Sequence, residues 1–345
     1  MTIVSYVSGH GFGHATRSIE LLHAIVRRMP RARLVARTTI DRRFFSGGQL
    51  HVDVQRAEVD TGVVQINSLT PAEEETAGRA AQFYADFEDR VAAEAHILRR
   101  LEASLVLGDI PPLAFAAAAR AGIPSVAISN FTWDWIYEGY PEFTRVAPRA
   151  IGTIRDAYSR ATIALRLPMH GGFAGMRDVR DIPFVARRST RERADTRRLV
   201  GVCDDRRLVL WSFGGFGLEV PATHAARSNR FVIMSFDANL PAGVTYPDLV
   251  AAADVVVSKP GYGIVSECIA NDTPLLYTSR GRFAEYDVMV REMPAVMKCR
   301  FIPQHELLAG DWSGAIDALL AQPDPPEQPR IDGADVAADI VARMI

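Results

Sequence analysis

The sequence predicts an α/β protein made of two doubly wound parallel sheets that face each other across a cleft. Three observations predict it. Short apolar runs alternate with helical patterns along the chain, the rhythm of a parallel sheet covered by helices on both faces. The 345 residues exceed one ordinary domain. The rhythm also breaks between Leu167 and Asp205, where Gly- and Pro-rich LPMHGGFAGMRDVRDIP leads into charged RRSTRERADTRR, and then resumes.

The elements follow in order. IVSYVS reads as a buried strand that runs into the glycine loop GHGFGH. HATRSIELLHAIVRRM reads as a helix, with Ile19, Leu22, Ile25, Val26 and Met29 at helical spacing. RLVART and VDVQRAEV are the next strands. EEETAGRAAQFYADFEDRVAAEAHILRRLEAS is a long helical stretch with a bend expected near Gly78. ASLVLGD is a strand, PPLAFAAAARAG a helix and PSVAISN a strand. In the second half, RRLVLWSFGGFG is a strand with its glycine loop and RFVIMSFD a strand. PDLVAAADVVVSKPGYGIVSECIAN reads as helix, strand, glycine loop, helix. TPLLYTSR is a strand, FAEYDVMVREM a helix, and DGADVAADIVARMI a closing helix after a polar proline segment.

Composition narrows the function. A hydrophobic share of 48% and a net charge of -2 fit a folded protein without the basic field that nucleic acid attracts. Cys203, Cys268 and Cys299 are scattered, with no zinc-type spacing, so neither a disulfide framework nor a metal site is expected. No basic-then-apolar leader opens the chain and no apolar run is long enough to span a bilayer, so a cytoplasmic location is expected. An apolar patch on the first domain would permit membrane association, but the sequence shows none, and it leaves the oligomeric state open. Lysine occurs at two positions, Lys259 and Lys298, which marks them as places where an amine is wanted.

Gly9–His14 comes close to a dinucleotide fingerprint, but His14 stands where the third glycine packs helix on sheet, and Arg37 replaces the acidic ribose partner. His10 and His14 have no third ligand near for a metal. The loop instead reads as Gly11, Phe12 and Gly13 bringing backbone to a ligand, with His14 as a general base and His10 as helper or loop-holder. Arg17, one turn on, could reach an anionic group. Asp109 ends its strand on the same rim, where it either orients His14 or caps the following helix. ISNFTWDWIYEGYPEF adds Asn130, Asp134 and four aromatics, Phe131, Trp133, Trp135 and Tyr137, as an acceptor-binding wall or a packed cluster. In the second half, Gly214, Gly215 and the run Ser258, Lys259, Gly261, Tyr262, Gly263 form phosphate-binding loops, and Glu267 is placed to accept a ribose diol.

SGHGFGHATR, LVLGDIPPLAFAAAARAGIPSVAISNFTWDWIY and SKPGYGIVSECIANDTPLLYTSRGRFAEYD carry a resemblance to the GT-B glycosyltransferases. The likeness is to the glycosyltransferase-like domain preceding the kinase domain of plant L-arabinokinases, and more distantly to the lipid-linked N-acetylglucosaminyltransferase of peptidoglycan synthesis and to plant UDP-glycosyltransferases. It implies two Rossmann-like domains: an acceptor side over 1–185, a nucleotide-sugar side over 186–330, and a helix at 331–345 that returns to the first. It implies His14 as base supported by Asp109, Glu267 on the ribose, and Glu285 with Arg282 at the donor sugar. Ala284 stands where the arabinokinase domain has Asn. No Gly-Leu-Ser-Ser-Ser phosphate loop occurs, so sugar kinase chemistry is rejected. The expected activity is metal- and cofactor-independent inverting transfer from a nucleotide sugar, UDP foremost, to a small-molecule or lipid-linked hydroxyl. A nucleotide-sugar sensor and a UDP-sugar epimerase are the alternatives.

Overall fold

The computed structural model describes residues 1–45, 50–202, 205–214, 218, 230–235 and 240–345. In the first half, β1 (Thr2–Val7) leads to α1 (Phe12–Arg28), β2 (Arg33–Thr38), β3 (Val52–Arg56), the short strands β4 (Gln65–Asn67) and β5 (Thr70–Pro71), α2 (Glu73–Ala85) and α3 (Phe87–Arg100). Then come β6 (Ala103–Asp109), α4 (Pro112–Ala121), β7 (Ser125–Ser129), α5 (Trp133–Glu138), α6 (Glu142–Val146), α7 (Ala150–Tyr158), β8 (Ile163–Arg166) and β9 (Val179–Asp181). The second half holds α8 (Arg193–Leu199), β10 (Arg207–Trp211), β11 (Phe231–Ser235), α9 (Tyr246–Ala252), β12 (Val255–Ser258), α10 (Tyr262–Ala270), β13 (Leu275–Tyr277), α11 (Ala284–Val296), β14 (Cys299–Phe301), α12 (Gln304–Ala309), α13 (Ser313–Leu320) and α14 (Gly333–Met344).

Two parallel sheets result. The first runs β3-β2-β1-β6-β7-β8-β9 and the second β11-β10-β12-β13-β14. Strands β1, β7 and β12 are buried along their whole length, as helices on both faces require. The sheets are joined by one apolar cluster, which passes from Ile3 and Leu105 through Phe184 and Tyr262 to Leu208 and Val256. The last helix, α14, lies against α1, with Ala334, Ala337, Ala338 and Val341 buried. The flanking pairs Arg27–Asp335 at 3.0 Å and Arg28–Asp339 at 2.6 Å are exposed, so burial of the alanine face holds this contact more than charge does.

Two features position the cleft. The antiparallel β4–β5 hairpin leaves the first sheet and reaches the second, where Leu69 packs with Trp211, Phe213 and Ile302, and Ser68 Oγ donates to the Phe213 carbonyl at 3.0 Å. At the opposite wall, α1 and α10 meet by their first turns. A Cβ on Gly263 would stand 3.0 Å from Gly13 Cα, so the glycine at 263 permits the approach.

One helix boundary differs from the sequence expectation. The long helical stretch breaks at Asp86, between α2 and α3, and not at Gly78. A glycine within a helix costs roughly 1 kcal/mol, too little to interrupt one that buries Ala77, Ala80 and Phe83.

Candidate active site at the domain interface

The β1–β6 pairing sets Val7 beside Asp109, so the glycine loop and the end of β6 share one rim. Gly11, at φ 119, begins α1, and no side chain caps its first turn. His14 Nδ1 then lies 2.8 Å from Asp109 Oδ1. Arg17 Nε donates to Asp109 Oδ2 at 2.9 Å and Ser18 Oγ to the same oxygen at 3.1 Å, while Arg17 Nη2 donates to Oδ1. Burial works against the Asp109 charge, but Arg17 and His14 outweigh it and hold the carboxyl down at about 2. An ionised carboxylate accepts and cannot donate, so His14 Nδ1 carries the proton, and in the neutral ring Nε2 is the nitrogen with the lone pair. Arg17 Nη2, 3.3 Å from His14 Nδ1, is then a second donor converging on Asp109 Oδ1. The capping alternative for Asp109 falls, because α4 starts behind Pro111.

His10 has the opposite tautomer. Its Nδ1 accepts the Val63 N–H at 3.0 Å, which leaves the proton on Nε2. Burial, then the neighbouring His14, Arg280 and Lys259, push its pKa well below the ordinary histidine value, so it stays neutral. Behind both rings stands Trp133, fully buried, with centroids 5.3 Å from His10 and 6.0 Å from His14. Its Nε1 donates to Asp60 at 2.9 Å, and burial lifts that carboxyl to about 6. Here the acceptor-wall expectation is corrected. Trp133 and Tyr137 belong to a packed aromatic cluster, and Asp134 is turned away to Arg155 at 3.1 Å. Large aromatic faces gain more by enclosure than by lining a wet cleft. Of the four aromatics, Phe131 reaches the cleft.

The second domain supplies the facing wall. Gly214 follows β10 with φ 72, and Gly215 lies outside the described residues. Ser258 ends β12 and donates to the Ser212 carbonyl. Gly261 caps α10, whose first turn likewise has no side-chain cap. Lys259 Nζ donates to Gln65 Oε1 at 3.2 Å and to the Ser68 carbonyl, both on the hairpin from the other domain. Burial, then nearby Arg280, bring its amine down to about 7. Glu267 is buried, and burial raises its carboxyl while Arg187, whose Nε stands 2.6 Å away, opposes the rise. Tyr262 OH accepts the Val185 N–H at 3.2 Å, and the Arg17 guanidinium lies 4.9 Å over its ring.

Glu285 is buried between the domains. Its Oε2 accepts from Arg280 Nη1 at 3.2 Å and its Oε1 from Asn130 Nδ2 at 2.8 Å. Arg282, expected beside it, instead points outward and pairs with Glu73 at 3.1 Å. The other arginine of RGRF, Arg280, stacks its guanidinium 3.9 Å from the Phe283 ring centre and lines the cleft. Arg280, Arg187 and Gln65 were missed because side-chain packing selects them: Arg280 meets Phe283 and Glu285, Arg187 meets Glu267 from 80 positions away, and Gln65 reaches Lys259 from the other domain. Arg37, which stands where a dinucleotide fold carries its acidic ribose partner, is bound to Glu94, which also accepts from Tyr6 at 2.8 Å.

These side chains enclose a cavity of about 200 Å³, which His10, Gly11, Phe12, Gly13, His14, Arg17 and Asn130 line from one domain, and Gly214, Ser258, Lys259, Gly261, Tyr262, Gly263, Glu267 and Glu285 from the other. Among the described residues no group of three or more His, Cys, Asp or Glu side chains is placed to hold a metal ion, and no helix is long and apolar enough to cross a membrane.

No family model matches the chain. It is 30% identical to Arabidopsis thaliana L-arabinokinase over 97% of its own length, and it spans about a third (34%) of that protein. Among solved structures it is similar to the glycosyltransferase SnogD of Streptomyces nogalater, with a TM-score of 0.54, 16% identity and coverage of 100% and 99% of the two chains. It is likewise similar to MurG of Acinetobacter baumannii, with a TM-score of 0.53, 12% identity and 99% coverage of each chain. A third is UGT2 of Phytolacca americana, solved with UDP-2-fluoroglucose and pterostilbene, with a TM-score of 0.60, 12% identity and coverage of 99% and 93%. The chain is therefore a GT-B fold protein, two Rossmann-like domains built like those of the glycosyltransferases, and related in sequence to a segment of L-arabinokinase.

Proposed function

We propose that the chain is an inverting glycosyltransferase that moves a sugar from a nucleotide sugar to an acceptor hydroxyl. The observation that carries the reading is the His14–Asp109 pair, whose ionised carboxylate leaves Nε2 as the basic nitrogen. The hydroxyl proton passes to Nε2 as the oxygen forms its bond to the anomeric carbon. The bond from that carbon to the diphosphate oxygen breaks, and its electron pair leaves with the nucleoside diphosphate. Base on one wall and leaving group on the other suit single displacement. Lys259, Arg280 and the uncapped start of α10 supply positive charge where the departing diphosphate gains negative charge, which is the work a divalent cation does in other transferases. Glu267 takes the ribose diol and Glu285 the donor sugar. UDP is the nucleotide of choice, which the UDP-sugar bound in the Phytolacca structure supports by analogy of fold. A small-molecule or lipid-linked acceptor in the cytoplasm completes the reading.

The test is to mix UDP-sugars with candidate acceptors and follow release of UDP. Release that depends on an acceptor supports transfer. Tight donor binding without release identifies a sensor, and an isomerised UDP-sugar formed without acceptor identifies an epimerase.

Lys259 gives a second expectation. An amine at about 7 is mostly neutral at pH 8, and a bound diphosphate draws it back toward charge. Binding UDP at pH 8 should therefore take up a proton, and affinity should fall as pH rises above 7. Calorimetry in two buffers of different ionisation enthalpy measures the uptake. Equal apparent enthalpies in the two buffers would remove Lys259 from the phosphate site, and Lys259→Met should abolish any difference.

A further inference from the structure

Asn130 is fully buried just beyond β7, and its amide is used from both ends. Its Oδ1 accepts from Arg17 Nη1 at 3.0 Å. Its Nδ2 donates to Glu285 Oε1 at 2.8 Å, across the domain boundary, and stands 3.5 Å from the Met169 carbonyl. Arg17 also grips Asp109, which sets the tautomer of His14, and Glu285 is held on its other oxygen by Arg280. An unbroken line of hydrogen bonds thus runs from His14 through Asp109, Arg17, Asn130 and Glu285 to Arg280. Every member of it is at most 8% exposed.

Chemistry fixes the direction of each link. A guanidinium donates and cannot accept, and an ionised carboxylate accepts and cannot donate. The amide must therefore turn its oxygen to Arg17 and its nitrogen to Glu285. A carboxylate of the same shape would set like charges face to face, and an apolar side chain would strand two buried charged groups.

We propose that Asn130 is a positioning residue that couples the seating of the donor sugar at Glu285 and Arg280 to the alignment of the His14 base on the other domain. The proposal rests on the transferase reading. The Asn130–Glu285 bond exists only when the two walls are together, so closure ties the amide that receives Arg17 Nη1 to the carboxylate that meets the sugar. Opening breaks that one link, while Arg17 keeps Asp109 and Glu285 keeps Arg280.

The experiment exchanges donor and acceptor. Asn130→Asp alone places a carboxylate against Glu285 and should lower kcat on the order of tenfold, weaken UDP-glucose binding and leave UDP binding near wild type. Adding Glu285→Gln restores the bond with its polarity reversed, the new amide donating to the new carboxylate, so Glu285→Gln should cost on the order of tenfold less kcat in the Asn130→Asp background than in the wild-type one. Equal Glu285→Gln penalties in the two backgrounds, or an Asn130→Asp enzyme equal to wild type, overturn the proposal. Should Asn130→Asp not fold, Asn130→Ala replaces it in a cycle with Glu285→Gln. The Glu285→Gln penalty should then shrink on the order of tenfold in the Asn130→Ala background, and equal penalties overturn the coupling. Should the wild-type chain turn over no UDP-sugar, the transferase reading falls. The difference between UDP-glucose and UDP affinity across the same proteins then decides the coupling separately.

Discussion

Replacing His14 by alanine is expected to reduce kcat by about 10²- to 10⁴-fold, the range that a positioned general base supplies. The affinity for nucleoside diphosphate should stay near wild type. The separation follows from the architecture. His14 sits on α1, whereas the groups assigned to the phosphates, Gly214, Ser258 and Lys259, lie at or beyond the carboxyl ends of strands of the second sheet. Removing the imidazole takes away the proton acceptor and leaves the opposite wall intact. The variant also leaves Asp109 charged and still paired with Arg17, so a large loss of stability is not expected. Steady-state turnover with calorimetric UDP titration checks both halves. Retained turnover sinks the base assignment, and lost UDP affinity sinks the division of labour between the walls.

Asp109→Asn should be the more damaging change, because one carboxylate serves three partners. A neutral amide can present its own N–H to His14 Nδ1, which moves the imidazole proton to Nε2 and removes the base. The expected loss in kcat is again about 10²- to 10⁴-fold. Unlike His14→Ala, the change also leaves the buried Arg17 guanidinium without its counter-charge. Breaking a buried pair from one side costs about 3–5 kcal/mol, which chemical denaturation would read directly. The pH dependence has a defined sign. The folded-state value of about 2 lies below the ordinary carboxyl value of 3.8. The contribution of Asp109 is therefore complete above the ordinary value and is lost as pH falls through about 2. Asp109→Asn should flatten that part of the acid limb of the stability curve. An unchanged acid limb would show that the Asp109 charge is not held by its neighbours.

Most of the fold was legible because buried parallel strands and amphipathic helices leave periodic marks in the sequence, as IVSYVS and SIELLHAIV do. His14 and Asp109 could be paired in advance because parallel strands put their carboxyl ends on one rim, whatever the details of packing. The failures share a cause. Trp133 and Asp134 stand in a segment with the composition of a binding wall, but whether an aromatic faces solvent or its neighbours depends on α2, α4 and α7, which lie elsewhere in the chain. Arg280 and Arg282 are separated by one glycine, and the choice between them is made by the Phe283 ring and by Glu285. The partners of Lys259 lie on a hairpin almost two hundred positions away (191 and 194 residues), beyond any spacing rule.

That hairpin bears on how the chain can be divided. Leu69 is 7% exposed, and it is buried among residues of the second sheet rather than the first. The second half therefore borrows part of its interior from residues 65–71, and cutting the chain near residue 186 would not yield two self-sufficient pieces. A transplant of the nucleotide-facing half into another protein must carry this loop, or a replacement for Leu69, with it. The same dependence means that neither half can be exchanged freely between relatives without its matching hairpin.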